Sequence, residues 1–305
     1  MAIQVIILVL SIGALWLGAL WIVESAARLA RRIGLSELVI GLTIVAIGTS
    51  LPELAVSVDA AFEGAPDIAF GNVIGSNIFN IGIILGAVAL MQSIAVSPKL
   101  VRRDGAMLVG AALLLTFFLR DLHLARWEGG AMLVIFGVYL ALLFLAREGA
   151  DEDMPTGEFV WTDIPRLAAG LAIVLVGAHF LVESASALAR AAGVSEWIIG
   201  VTIVAVGTST PEMVTSLVAL LRRFHGISAG NLIGSDLFNL FGALGLAAIV
   251  HPFAISQAAQ QSLPLMVGMG VVLLIFMRSG WRLTRWEGAL LIIMGTGRWV
   301  INFNM

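Results

Sequence analysis

Residues 48–53 read Gly-Thr-Ser-Leu-Pro-Glu, and residues 207–212 read Gly-Thr-Ser-Thr-Pro-Glu. Each sextet sets two hydroxyls, a proline and a carboxylate inside a long apolar stretch. Pro52 has no N–H to donate and crowds the carbonyl one turn earlier, so acceptors near Gly48 and Thr49 are released from helical pairing. Freed carbonyls, a Thr hydroxyl and a Glu carboxylate form an all-oxygen set suited to a hard cation such as Ca²⁺ or Na⁺. Helical spacing puts Thr49 and Glu53 on one face with Ser50 beside them. The second copy offers Thr208, Ser209 and Glu212, broken at Pro211. A charge at hydrocarbon depth costs several kcal/mol unless it is partnered, so an intramembrane Glu marks a functional site.

The segment after each sextet supplies an opposing polar face. Asn72, Ser76 and Asn80 recur every fourth residue, as do Asn231, Ser235 and Asn239. Alone, such a stripe often does no more than bond neighbouring helices, and the glycines at 64, 71, 75, 82 and 86 similarly permit close packing. Two stripes opposite two Pro-Glu breaks point instead to a cation site. Asp236 stands where the first copy has Asn77. It lies about 100° round the helix from Ser235, and two readings stay open: a carboxyl bonded to an adjacent helix, or a site or proton-coupling group. Asp59, Glu63 and Asp67, near an outer loop, are expected to attract cations rather than bind them.

These residues must be positioned by membrane spans. Of the 305 residues, 60% are apolar and 12% charged, and several apolar runs exceed 18 residues, the length that crosses a hydrocarbon core of about 30 Å. Ten spans are expected, at roughly 3–27, 35–60, 67–91, 105–119, 127–146, 166–190, 194–221, 227–250, 262–277 and 286–303, with tryptophans 127, 161, 197, 281 and 286 near their ends. No basic residue precedes Arg28, so residues 3–27 read as a retained span rather than a cleaved signal. With the N-terminus outside, 13 of the 17 Lys and Arg fall in inner loops, which orients both termini to the extracytoplasmic side. The absence of cysteine excludes disulfides and thiolate sites.

Residues 23–54 align without a gap on 182–213, with 21 of 32 positions identical. The same offset of 159 joins Gly71-Asn72 to Gly230-Asn231 and Arg126-Trp127-Glu128-Gly129 to Arg285-Trp286-Glu287-Gly288. The chain therefore divides into a first repeat at 1–146, an acidic cytoplasmic linker at 147–165 with Asp151, Glu152, Asp153, Glu158 and Asp163, and a second repeat at 166–305. Five spans per half is an odd number, so the second copy lies inverted. The fold expected is an all-α membrane protein of ten transmembrane helices, two inverted five-helix repeats with broken helices at the midplane. Inverted repeats place a substrate site at their interface.

The motifs GTSLPE…GNVIGSNIFN and GTSTPE…GNLIGSDLFN resemble the two alpha-repeats of the cation/Ca²⁺ exchanger superfamily, specifically a prokaryotic sodium/calcium exchanger. The resemblance covers nearly the whole chain. It implies ten helices, four of them polar and lining a central Na⁺ and Ca²⁺ site. Its ligands here would be Thr49, Ser50, Glu53, Ser76, Asn80, Thr208, Ser209, Glu212, Ser235 and Asn239, with backbone carbonyls near Ala46 and Ala205. It also implies Na⁺-driven, electrogenic Ca²⁺ antiport in a prokaryotic plasma membrane, with the first and sixth spans as the sliding element. Relatives that cotransport K⁺ carry Asp where this chain has Asn239, which argues against K⁺ dependence. The expected partners are Na⁺, Ca²⁺ and the bilayer, with no cofactor, no nucleic acid and a single chain as the working unit.

Three rival readings fit parts of the same pattern. A Ca²⁺/H⁺ antiporter could use both Glu as proton carriers, but relatives of that type tend to place a Glu shortly after the Gly-Asn pair, where these repeats have Val73-Ile74-Gly75 and Leu232-Ile233-Gly234. An ion channel would need a continuous pore. An intramembrane hydrolase using Ser50 or Ser209 would need a partnered base. His123, His225 and His251 fall at loops, and His179 is matched by Leu20, so it reads as a packing residue and enzymatic activity is not expected.

Overall fold

Pro52 and Pro211 do not stop their helices so much as restart them. In the computed structural model, which describes residues 1–146, 157–195, 199, 202–203 and 205–303 (backbone alone at 205 and 298–303), both prolines sit in the first turn of a new helix. The chain runs as α1 (Ala2–Ile33), α2 (Glu37–Thr49), α3 (Leu51–Phe62), α4 (Pro66–Met91), α5 (Ala106–Phe118), α6 (Arg126–Leu145), α7 (Asp163–Ala191), α8 (Ala205–Thr208), α9 (Thr210–Leu221), α10 (His225–Val250), α11 (Gln257–Arg278) and α12 (Arg285–Phe303). α2 contains a wide π turn at Gly41–Val45, α4 one at Asn80–Leu85 and α10 one at Phe238–Ala243, while another at Leu100–Gly105 leads into α5.

The only strands among the described residues are two-residue pairs. β1 (Ile94–Ala95) lies antiparallel to β4 (Arg282–Leu283), and β2 (His123–Leu124) to β3 (Phe253–Ala254). A shift of 159 residues carries β1 onto β3 and β2 onto β4, so the two ladders are copies of one another. They tie the exit of α4 to the entry of α12, and the exit of α10 to the entry of α6.

The chain is thus a nearly all-helical membrane protein with several apolar spans. Among the described residues six helices are long and apolar enough to cross a bilayer, namely α1, α4, α6, α7, α10 and α11. The pair α2 and α3, bent by 48°, makes a seventh. The other three expected spans meet shorter or more polar elements: α5, the fragments α8 and α9, and α12, which carries Arg298 in its length. The linker residues 147–156, and Trp197 in the seventh expected span, lie outside the described residues.

Two sequence readings are corrected. Asp163, expected to be a solvated linker residue, opens α7, is buried, and binds Arg28 of α1 at 2.6 Å. A guanidinium in reach replaces the water that the charge would otherwise need. His179, expected to pack, is 75% exposed, with Glu183 at 4.0 Å and the edge of Phe180 beside it. It lies on the outer face of α7.

Apolar packing divides in two. One cluster holds Leu15, Ala19, Ile22 and Val23 of α1 against Leu167 and Val174 of α7, with Ile40 and Val45 of α2. The other runs through α4, α5, α6, α10 and α11. Between the polar-faced helices backbones approach closely. A Cβ on Gly234 of α10 would fall 2.5 Å from the Leu42 carbonyl oxygen and 2.7 Å from the Ala46 Cβ. Overpacking a tight contact costs about 1–3 kcal/mol. We therefore expect Gly234→Ala to lower the melting temperature of the detergent-purified protein. An unchanged melting temperature would contradict this packing.

Candidate functional site

The two breaks have the same backbone. Ser50 ends α2 at φ −87°, ψ 11°, and Ser209 ends α8 at φ −88°, ψ 7°. The Thr49 hydroxyl donates to the Ala46 carbonyl at 3.3 Å, which also accepts the Ser50 N–H at 3.0 Å. Beyond each break a helix restarts with its glutamate in the first turn, Glu53 in α3 and Glu212 in α9. The free N–H groups and positive dipole end of a helix favour a carboxylate there.

Both glutamates are 0% exposed, and each is served by the opposite break. Ser50 Oγ donates to Glu212 Oε1 at 2.8 Å, and Ser209 Oγ donates to Glu53 Oε1 at 3.1 Å. Thr208 lies beside Glu53 and Thr49 beside Glu212, and Ser235 Oγ donates to Glu212 Oε1 at 3.5 Å. Ser235 further reaches the Ala46 carbonyl at 3.4 Å. The two sextets, 159 residues apart in sequence, form one cluster.

α4 and α10 complete it. Asn72 Nδ2 donates to the Glu53 carbonyl at 3.1 Å and to Ser57 Oγ at 3.0 Å; Asn231 Nδ2 donates to the Glu212 carbonyl at 3.3 Å and to Ser216 Oγ at 2.9 Å. These amides hold the backbone of the restarted helices. Thr49 Oγ1 also approaches Asn231 Oδ1 at 3.1 Å. Farther along, Asn239 Nδ2 donates to Ser76 Oγ and Asn77 Oδ1, both at 3.1 Å, and Asn80 Nδ2 donates to Asp236 Oδ1 at 3.0 Å. Ser76 itself donates to the Val73 carbonyl at 3.0 Å.

Every side chain named from the sequence as a ligand thus lies within this network or at its edge. Ala46 contributes its carbonyl, and Ala205 begins α8. Asp59 and Glu63 are exposed and apart from it, and Asp67 accepts the Ser256 N–H at 2.9 Å. Ser57, Ser216 and Asn77 were not singled out. The signal for the two serines was present: both lie four residues beyond a site glutamate, one helical turn along the same face, and both recur at the repeat offset.

Five buried oxygens in this network have no hydrogen-bond partner among the described residues: Glu53 Oε2, Glu212 Oε2, Asn80 Oδ1, Asn239 Oδ1 and Asp236 Oδ2. All are acceptors. Leaving a buried acceptor unserved costs about 1–3 kcal/mol, so five together call for a positive charge. Among the described residues no three of His, Cys, Asp or Glu converge closely enough to hold one metal ion; the donors are carboxylate, hydroxyl, amide and carbonyl oxygens, the set preferred by Na⁺ and Ca²⁺ over softer metals.

Comparison with known proteins agrees with this chemistry. The family model described as sodium/calcium exchanger protein matches residues 3–145 and 164–294. The putative antiporter CaxA of Alkalimonas amylolytica is 37% identical over 289 residues, covering 90% of this chain and 91% of that protein. The sodium/calcium exchanger MaX1 of Methanosarcina acetivorans is 31% identical over 342 residues, covering 97% and 98%. A solved structure of the sodium-calcium exchanger NCX_Mj soaked with 10 mM Na⁺ and zero Ca²⁺ superposes with a TM-score of 0.86 at 32% identity, over 97% of this chain and 98% of that one.

A cation that binds the folded site and not the unfolded chain stabilises the protein by about 2.7 kcal/mol at a hundredfold excess over Kd. We expect Ca²⁺ and Na⁺ each to raise the melting temperature of the purified wild type. In Glu53→Gln and Glu212→Gln the Ca²⁺ response should disappear. A full Ca²⁺ response in both variants would place the ion elsewhere.

Proposed function

The chain belongs to the sodium/calcium exchanger family, and from that premise we propose that Thr49, Ser50, Glu53, Ser76, Asn80, Thr208, Ser209, Glu212, Ser235 and Asn239, with the carbonyls of Ala46 and Ala205, bind Na⁺ and Ca²⁺ in alternation. The observation that carries this reading is the set of unpartnered buried acceptor oxygens gathered around Glu53 and Glu212. One Ca²⁺ or two Na⁺ balance the two glutamates, so the ions compete for the site rather than fill it together. Na⁺ entry then drives Ca²⁺ out. An emptied site leaves two carboxylates unpaired, and moving them through a low-dielectric barrier is far costlier than moving the loaded site, which enforces exchange over leak. A third Na⁺ per cycle makes exchange electrogenic, and membrane voltage contributes about 2.3 kcal/mol per charge per 100 mV. Asn239, an amide rather than a carboxylate, supports independence from K⁺.

The architecture proposed for this cycle is ten spans in two inverted repeats, 1–146 and 166–305, joined by a cytoplasmic linker. Both termini face outward from the plasma membrane, and the single chain works alone. The offset of 159 residues and the duplicated strand ladders support the repeat. α1 and α7 slide together across the remaining helices and open the site to one side at a time. The extensive packing of α1 on α7, with Leu15, Ala19 and Ile22 against Leu167 and Val174, supports their moving as one body.

The test is ⁴⁵Ca²⁺ uptake into proteoliposomes loaded with Na⁺, against vesicles holding only a pH gradient, with voltage clamped and K⁺ absent. Uptake is expected only with internal Na⁺. Uptake driven by the proton gradient alone would make the protein a Ca²⁺/H⁺ antiporter.

A further inference from the structure

The residues around Glu53 and Glu212 come in matched pairs, with one conspicuous exception. Where the first half has Asn77, the second has Asp236, which introduces a third carboxyl group into the same buried network. Asp236 is 1% exposed. Its Oδ1 accepts from Asn80 Nδ2 at 3.0 Å, while its Oδ2 is buried without a partner. Its backbone carbonyl takes Asn77 Nδ2 at 3.0 Å, and Asn77 Oδ1 in turn takes Asn239 Nδ2 at 3.1 Å. The nearby amide donors are therefore committed, and none serves Oδ2. That commitment also leaves the Oδ1 atoms of Asn80 and Asn239 as unpartnered acceptors. A group with only a structural task would have both oxygens satisfied, as Asp163 does with Arg28 and the Val160 N–H. Asp236 instead presents an oxygen with the same deficit as Glu53 Oε2 and Glu212 Oε2.

We propose that Asp236 is a third anionic group of the transport site, its Oδ2 coordinating a Na⁺ apart from the position between Glu53 and Glu212, and that it decides which half of the transport cycle carries net charge. This rests on the Na⁺ and Ca²⁺ site proposed above. With two carboxylates, Ca²⁺ leaves the site neutral and three Na⁺ leave it with one positive charge, so voltage acts on the Na⁺-loaded crossing. With three carboxylates, three Na⁺ leave the site neutral and Ca²⁺ leaves it with one negative charge. Voltage then acts on the Ca²⁺-loaded crossing. Net charge per full cycle is the same in both cases, and only the separate half-reactions distinguish them.

Self-exchange isolates those half-reactions. Purified protein in proteoliposomes would be assayed for ⁴⁵Ca²⁺/Ca²⁺ exchange without Na⁺ and for ²²Na⁺/Na⁺ exchange without Ca²⁺, with voltage set by valinomycin and K⁺. In the wild type Ca²⁺ self-exchange is expected to depend on voltage, by up to about 50-fold per 100 mV if one charge crosses the whole field, and Na⁺ self-exchange to be flat. Asp236→Asn keeps an oxygen for Asn80 to bond and removes the charge, so the dependence should move to Na⁺ self-exchange. Voltage dependence confined to Na⁺ self-exchange in the wild type would overturn the proposal, whether or not the variant folds. Normal Ca²⁺ self-exchange in both Glu53→Gln and Glu212→Gln would instead overturn the underlying site.

Discussion

Two buried carboxylates set the terms for everything around them. Taking an ion out of water costs several kcal/mol even after relaxation, and no basic side chain is paired with Glu53 or Glu212 among the hydrogen bonds described. What the protein itself offers them is helix N-termini and hydroxyls. Helix N-termini inside the bundle require broken helices, which Pro52 and Pro211 supply. Broken helices expose carbonyls, which are tolerated only against protein or a cavity. Asn72 and Asn231 then bond the carbonyls of the glutamates themselves.

Much of this was legible in the sequence because duplication marks function twice. A lone Asn-x-x-x-Ser-x-x-x-Asn stripe reads as helix glue; the same stripe at a fixed offset from a second Pro-Glu break reads as a site. What periodicity could not supply was the pairing across halves. Nothing in the sequence says that Ser50 serves Glu212 rather than Glu53, three residues away, because that depends on how α2 and α8 meet. Asp163 escaped for a similar reason, since its partner Arg28 lies 135 residues earlier and only the α1–α7 packing brings them together. The break itself divides a span that the sequence reads as one: α9, 12 residues beginning at the Ser209 break, is by itself too short to cross a bilayer.

The repeat is close but not perfect, and its departures are informative. Asp236 against Asn77 is the plainest of them, because it changes the charge, is written in the sequence and persists in every conformation.

The crossed bonds from Ser50 to Glu212 and from Ser209 to Glu53 bear on how the protein is made. While the ribosome has delivered only the first half, Glu53 sits in lipid or translocon without the hydroxyls that will serve it. The first repeat cannot reach its final form until residues some 156 positions later have been inserted. Assembly is thus gated by the last partner to arrive, and a chain truncated or misinserted in its second half carries an unserved carboxylate that membrane quality control can detect. The same bonds that prepare the site for cations register that both halves are present.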